Sequence, residues 1–460
     1  MIRHLLLLSI WTAAAAAQAP TPPVSSRLPI TARTLANGLE VIVIENHAVP
    51  IVTVELDVRN GAFTETPEFD GLSHLYEHMF FKANRAIPSQ ERYLERSNEL
   101  GLAWNGTTSE ERVNYFATVG TDSLAPAMQF MEDAIRSPLF LPDELERERP
   151  VVLGEFDRNE ASPFFYLFRD VGRALVGPAY YSRKNVIGDR TIIHTATQEK
   201  MRTIQGRFYV PNNTALILSG DISPARGLAL ADSIFGDWPR GPDPFVQPTP
   251  DPPPLARSQG VIVEQPVNSV TLLIQWNGPS VGQDPAATYA ADVFSAILRN
   301  PTSRWTKRLV ESGLAFQVDL NYYTLNHIGP ISVFAQTTPE NLRVLERAIF
   351  EEIRAFADSN YVTEAQLAAA RTQIAVQGAY EREQSSDFAH TVGFWWSVAS
   401  LDYYLGYRAR MQAVTRGDLA AYARRYIVGQ PAVVGALISP EMRAQLRLTP
   451  DSLLPPVVVP

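Results

Sequence analysis

Two apolar, β-branched runs open the patterned part of the chain, "GLEVIVIEN" (38–46) and "IVTVELDV" (51–58), on either side of "HAVP". Runs of this kind bounded by turn residues predict strands, here neighbouring and antiparallel. From 71 to 84 the period changes to that of a helix, and a second helical segment follows near 90–100. β-type runs return at "AWNGTTS" (103–109) and "VNYFATV" (113–119). Helical pattern then dominates from 122 to about 173 and again at 198–208.

The clearest break is "DWPRGPDPFVQPTPDPPPLARSQ" (237–259), whose prolines can continue neither a helix nor a central strand. It divides the chain into similar parts, 31–236 and 260–445, followed by a tail at 446–460. The two parts end alike. "RFYVPNNTALILSGDIS" (207–223) and "RRYIVGQPAVVGALISP" (424–440) both run from helix end through a turn to an apolar strand, which favours a duplicated domain.

The amino terminus has a different pattern: Arg3 and His4, an apolar run from Leu5 to about Ala17, then small residues. That reads as a secretory signal over 1–17, followed by a Pro/Ser-rich leader to about residue 30. The chain is therefore expected to be periplasmic or secreted, with no stable membrane span once the signal is removed. Elsewhere no run of 18 apolar residues occurs.

With 460 residues, 45% of them hydrophobic, the chain is long enough for two or three domains with sizeable cores. A formal net charge of -9 without a dense Lys/Arg face argues against nucleic acid as a partner. Cysteine is absent, which removes disulfides, a thiol nucleophile and thiolate metal ligands. Any metal must be held by His, Asp or Glu.

"GLSHLYEHMF" (71–80) supplies such a set. Residues four apart on a helix lie one turn from each other, so His74 and His78 can address one ion. Glu77 sits beside them, able to reach a water without being a ligand. Hydrolytic zinc chemistry needs these parts: ligands that leave one position open, and a carboxylate base. The plainer alternative is a polar helix face with two unrelated histidines. HxxEH is the inverzincin order. Two imidazoles are an incomplete set, and acidic candidates for a third ligand crowd "DELERERPVVLGEFDRNE" (143–160).

On these motifs the chain resembles the pitrilysin/insulinase (M16) family of zinc metallopeptidases, in a two-domain branch similar to the mitochondrial processing peptidase subunits. The family's HxxEH is followed 76 or 77 residues later by a liganding glutamate, matched by Glu155 in "VVLGEF". The resemblance thus implies one Zn2+ held by His74, His78 and Glu155, with Glu77 as general base. Glu148 matches a supporting glutamate seven residues before the third ligand, although Pro150 between them interrupts or restarts the helix. "WNGTTSEERVNYF" (104–116) resembles the segment that lies along the substrate, with Asn105 at the contacting asparagine. The implied fold is α+β: two similar domains, each an antiparallel-rich sheet packed with helices, facing each other across a cleft. The implied activity is hydrolysis of extended or unfolded peptides.

One departure bears on that activity. Active members often carry an Arg and a Tyr seven apart in the second domain, and "RLVESGLAF" (308–316) has Leu309 and Phe316 there, neither of which donates a hydrogen bond. The expectation is a zinc-bearing subunit that works as a homodimer or with a zinc-free family member supplying the pair. Arg304, Arg308, Tyr322 and Tyr323 are the nearby substitutes. The reading from a different functional class is a non-catalytic scaffold or peptide-binding subunit that keeps the fold.

Overall fold

The computed structural model describes residues 28–177, 184, 186–247 and 251–454. The signal segment 1–17, most of the leader and residues 455–460 of the tail lie outside the described residues. The tail's first part is not free: Leu448 and Leu453 are buried in the second core. No helix among the described residues is long and apolar enough to cross a membrane.

The first half forms a six-stranded sheet from β1 (Ile30–Thr34), β2 (Glu40–Glu45), β3 (Ile51–Val58), β4 (Ala103–Thr108), β5 (Val113–Gly120) and β6 (Thr214–Gly220), in the order β1-β2-β6-β3-β5-β4. Its helices are α1 (Leu72–Phe80), α2 (Gln90–Leu100), α3 (Leu124–Arg136), α4 (Pro142–Glu160), α5 (Pro163–Val176), α6 (Arg190–His194), α7 (Gln198–Phe208) and α8 (Pro224–Phe235).

The second half repeats the plan with β7 (Gln259–Glu264), β8 (Val270–Asn277), β9 (Gln317–Tyr322), β10 (Pro330–Thr337) and β11 (Val433–Ile438), ordered β7-β11-β8-β10-β9. Its helices run from α9 (Pro285–Arg299) and the short α10 (Arg304–Thr306) through α11 (Leu342–Ala355), α12 (Glu364–Tyr380), α13 (Ser385–Val398), α14 (Leu401–Ala413) and α15 (Arg416–Tyr426) to α16 (Pro440–Leu446).

The expected pairing of the first two apolar runs is corrected here. β6 lies between β2 and β3, parallel to the first and antiparallel to the second. All seven residues of β6 are buried, and so are the interior residues of its two neighbours, which is the pattern of central strands covered on both faces. β11 stands in the same relation to β7 and β8. The two similar chain ends therefore occupy equivalent places in the two sheets, as a duplicated α+β unit requires.

Packing crosses the proline-rich boundary in both directions. α5 lays Leu167, Val171 and Leu175 on Leu273, Val433 and Leu437 of the second sheet. α13 in turn lays Phe388, Ala389, Val392 and Trp396 on Ile42, Ile44, Ala215 and Ile217 of the first. Glycine permits both approaches: a Cβ on Gly393 would collide with the Asp57 carboxylate, and one on Gly435 with Val171. Arg59 fastens the second contact, its guanidinium 3.9 Å over the Trp396 ring and donating to that residue's carbonyl at 3.0 Å.

Candidate metal centre

α1 begins at Gly71, whose φ of 89° and close neighbours restrict the position to glycine: a Cβ would lie 2.8 Å from the Ile187 carbonyl oxygen. The buried Glu65 carboxylate accepts from the backbone N–H groups of Gly71 (2.8 Å) and Ser73 (2.6 Å) and is itself held by Lys184 at 2.8 Å. An anion here completes the unpaired first turn and complements the helix dipole. Gly71→Ala is expected to cost about 1–3 kcal/mol of stability, measured by urea unfolding.

One turn into the helix, the imidazoles of His74 and His78 stand 4.9 Å apart, edge to face. Glu155 reaches them from α4, its Oε2 3.4 Å from His74 Nε2 and 3.7 Å from His78 Nε2. Donor atoms about 2.1 Å from a tetrahedral zinc lie about 3.4 Å from one another. The three residues form a group whose ligand atoms all fall within 4.8 Å of each other, so the donor set fits such an ion. Burial, helped by the neighbouring His78, lowers the His74 pKa to about 4, keeping the ring neutral as a ligand must be.

Glu148 sits behind His78. Its Oε1 is 2.8 Å from His78 Nδ1 and its Oε2 2.5 Å from Lys82 Nζ. With the Nδ1 proton donated to Glu148, the Nε2 lone pair of His78 is left facing Glu155. Burial works against ionisation of Glu148, but the hydrogen bonds from His78 and Lys82 outweigh it and lower its pKa. Pro150 does not break α4, which runs unbroken from Pro142 to Glu160 and holds Glu148 and Glu155 two turns apart. Glu148→Gln is expected to weaken zinc about 10–100-fold, read by competition with a chromophoric chelator.

Glu77 is buried outside this donor group and accepts a 2.7 Å hydrogen bond from the Thr108 hydroxyl at the end of β4. Burial raises its pKa, while Thr108 and His78 oppose the rise. Gly106 lets β4 lie this close to α1, since a Cβ there would come within 3.1 Å of both Glu77 Cγ and Phe81 Cζ. Thr108, Gly106 and Glu65 were not singled out by sequence reasoning. Thr108 and Gly106 stood in "WNGTTSEE", where a glycine inside a β-type run was the available signal.

His74, Glu77, His78, Glu148 and Glu155 line one wall of a cavity of about 980 Å³, together with Asn105 and other residues of β4. Among the described residues β4 is an edge strand, paired only with β5. The facing wall comes from the second half: Gln275, Asn277, Tyr323, Leu325, Ile328 and Pro330.

Leu309 and Phe316 do not line this cavity. Leu309 is fully buried in the second core, whereas Phe316 is 63% exposed. Of the nearby substitutes, Arg304 and Arg308 are bound to Glu352, at 3.0 and 2.6 Å, and the Tyr322 hydroxyl donates to the Pro279 carbonyl. Tyr323 alone of the four faces the metal-site cavity, donating to Glu110 at 2.8 Å.

Comparison with known proteins agrees with this architecture. The model of the insulinase family (peptidase family M16) matches residues 40–177, which include His74, Glu77, His78, Asn105, Glu148 and Glu155, and that of the peptidase M16 inactive domain matches 195–374. An "uncharacterized zinc protease" of Rickettsia felis is 23% identical over 345 residues, 74% of this chain and 81% of that protein. The crystal structure of a protease from Helicobacter pylori superposes with a TM-score of 0.78 at 20% identity, over 89% of this chain and 99% of that one. The first half of the periplasmic protease PqqL from Escherichia coli gives 0.74 at 17% identity, over 92% and 95%. The chain belongs to the M16, or pitrilysin/insulinase-type, peptidase family and has its two-domain fold.

Proposed function

We propose that this chain is an exported zinc-dependent endopeptidase or oligopeptidase that hydrolyses extended or unfolded peptides. One observation carries the reading: His74, His78 and Glu155 converge beside a buried, hydrogen-bonded Glu77 on the wall of a cavity bordered by an unpaired strand edge. The periplasmic PqqL protease among the solved structures supports the exported setting.

His74, His78 and Glu155 would hold the zinc, which when bound polarises a peptide carbonyl and acidifies a water. The free edge of β4 offers backbone N–H and C=O groups to an extended substrate as one more strand, with Asn105 beside it. Glu77 takes the proton of the attacking water and passes it to the departing amine. Thr108 holds the carboxylate in place for both transfers. Glu148 and Lys82 fix the His78 ring without touching substrate.

The chain works in this reading as the zinc-bearing subunit of a dimer, preferably with a zinc-free family member that carries the Arg/Tyr pair, because Leu309 and Phe316 supply no donor and do not line the cavity. The same two residues favour the second reading, a non-catalytic peptide-binding subunit.

The experiment is digestion of a mixed peptide library by the purified zinc-loaded chain, alone and with the partner. Cleavage that needs the partner supports the divided site. Cleavage by the chain alone retains the peptidase and removes the need for a partner. No cleavage in either case, despite stoichiometric zinc, leaves the non-catalytic reading.

A further inference from the structure

A second cavity of about 940 Å³ shares no lining residue with the metal-site cleft. It lies among α9, α12, α13, α14 and β9 of the second half, with Leu28 and Arg112 of the first half at its wall. Its apolar lining is aromatic: Trp395 and Tyr407, with ring centroids 4.7 Å apart, are joined by Tyr322, Phe394 and Tyr404.

The polar lining has the opposite sign to the chain as a whole. Arg299, Arg382 and Arg408 all line it, in a protein of net charge -9. Among the described residues Arg299 donates to the Asn321 amide oxygen (3.2 Å), and Arg382, just past the end of α12, to the Gly378 carbonyl of that helix (2.5 Å). None of the three is within ion-pair distance of a carboxylate among the described residues, although Arg299 is near enough to Asp292 to favour its charged form. Two acids also line the cavity: Glu381 accepts from the Gln377 amide at 3.4 Å, and Asp292 is engaged by the Tyr407 hydroxyl at 2.7 Å, with burial raising its pKa to about 7, which reduces its charge. Ser295 Oγ and Arg112 Nε, both on residues of this lining, are buried without a hydrogen-bond partner. Gln373, Gln377 and Gln412 add side-chain amides at the rim.

We propose that this cavity binds the carboxyl terminus of a short peptide whose last side chain is apolar or aromatic. The carboxylate meets the guanidinium groups of Arg299, Arg382 and Arg408, which suit it as planar donors. The last side chain lies against Trp395 and Tyr407, and the glutamine amides match the peptide backbone. The site is defined by an apolar floor with a few convergent polar groups, the usual make-up of a small-ligand pocket. It does not depend on the peptidase reading.

The test is calorimetric titration of N-acetyl-Ala-Ala-Phe, with a free carboxylate, into the full chain carrying Glu77→Gln so that the probe is not cut. The same peptide as its C-terminal amide is the control. The acid is expected to bind at least about tenfold more tightly than the amide, since a charged hydrogen-bonded contact is lost. Arg408→Glu, at an exposed rim position, is expected to remove that preference without changing the melting curve. Trp395→Leu is expected to weaken acid and amide alike. Equal affinity for acid and amide, binding unchanged by Arg408→Glu, or no binding up to about 1 mM would each overturn the proposal.

Discussion

Glu77→Gln will lower peptide hydrolysis by about 10²–10⁴-fold while leaving one zinc per chain, as read by turnover of a quenched fluorescent peptide beside elemental analysis. The separation of the two readouts follows from the geometry. Glu77 lies outside the donor group of His74, His78 and Glu155, so its loss removes a proton acceptor and no ligand. Glutamine keeps the shape and can still accept from the Thr108 hydroxyl, so the loss does not come from rearrangement of the site. A variant that keeps full activity would show that another group takes the proton, and one that loses zinc would place Glu77 in the ligand set.

His74→Ala reverses the pattern, with zinc content and activity falling together. Removing a ligand should cost more affinity than the about 10–100-fold that follows loss of an outer partner such as Glu148. His74 is also nearly buried, and its Nδ1 has no hydrogen-bond partner among the described residues, so it does not tie the surrounding structure together. The fold is therefore expected to survive, with far-UV circular dichroism unchanged. Zinc retained at full stoichiometry in this variant would refute the assignment.

The parts of the site that share a helix were legible in the sequence, because a four-residue spacing on α1 and a seven-residue spacing on α4 fix which side chains share a face. What joins the two helices is tertiary. Thr108 reaches Glu77 from a strand 31 residues away, and Lys184 reaches Glu65 across 119, distances at which no local period operates. The strand order failed for the same reason. Two consecutive apolar runs with a short connection look like a pair, yet β6, more than 150 residues later, supplies the edge that each of them prefers. The duplication was visible only as two similar helix-turn-strand endings, while the crossing of α5 and α13 left no mark, since each has ordinary helical patterning.

That crossing sets an order of events during synthesis. The strands of the first sheet are complete once residue 220 has been made, but the helix that covers Ile42, Ile44, Ala215 and Ile217 spans 385–398. At about 5–20 residues per second, the ribosome needs roughly ten to thirty seconds to supply it. Throughout that interval one apolar sheet face has no native cover, and a chaperone binding there would act on the nascent chain before either half can finish folding.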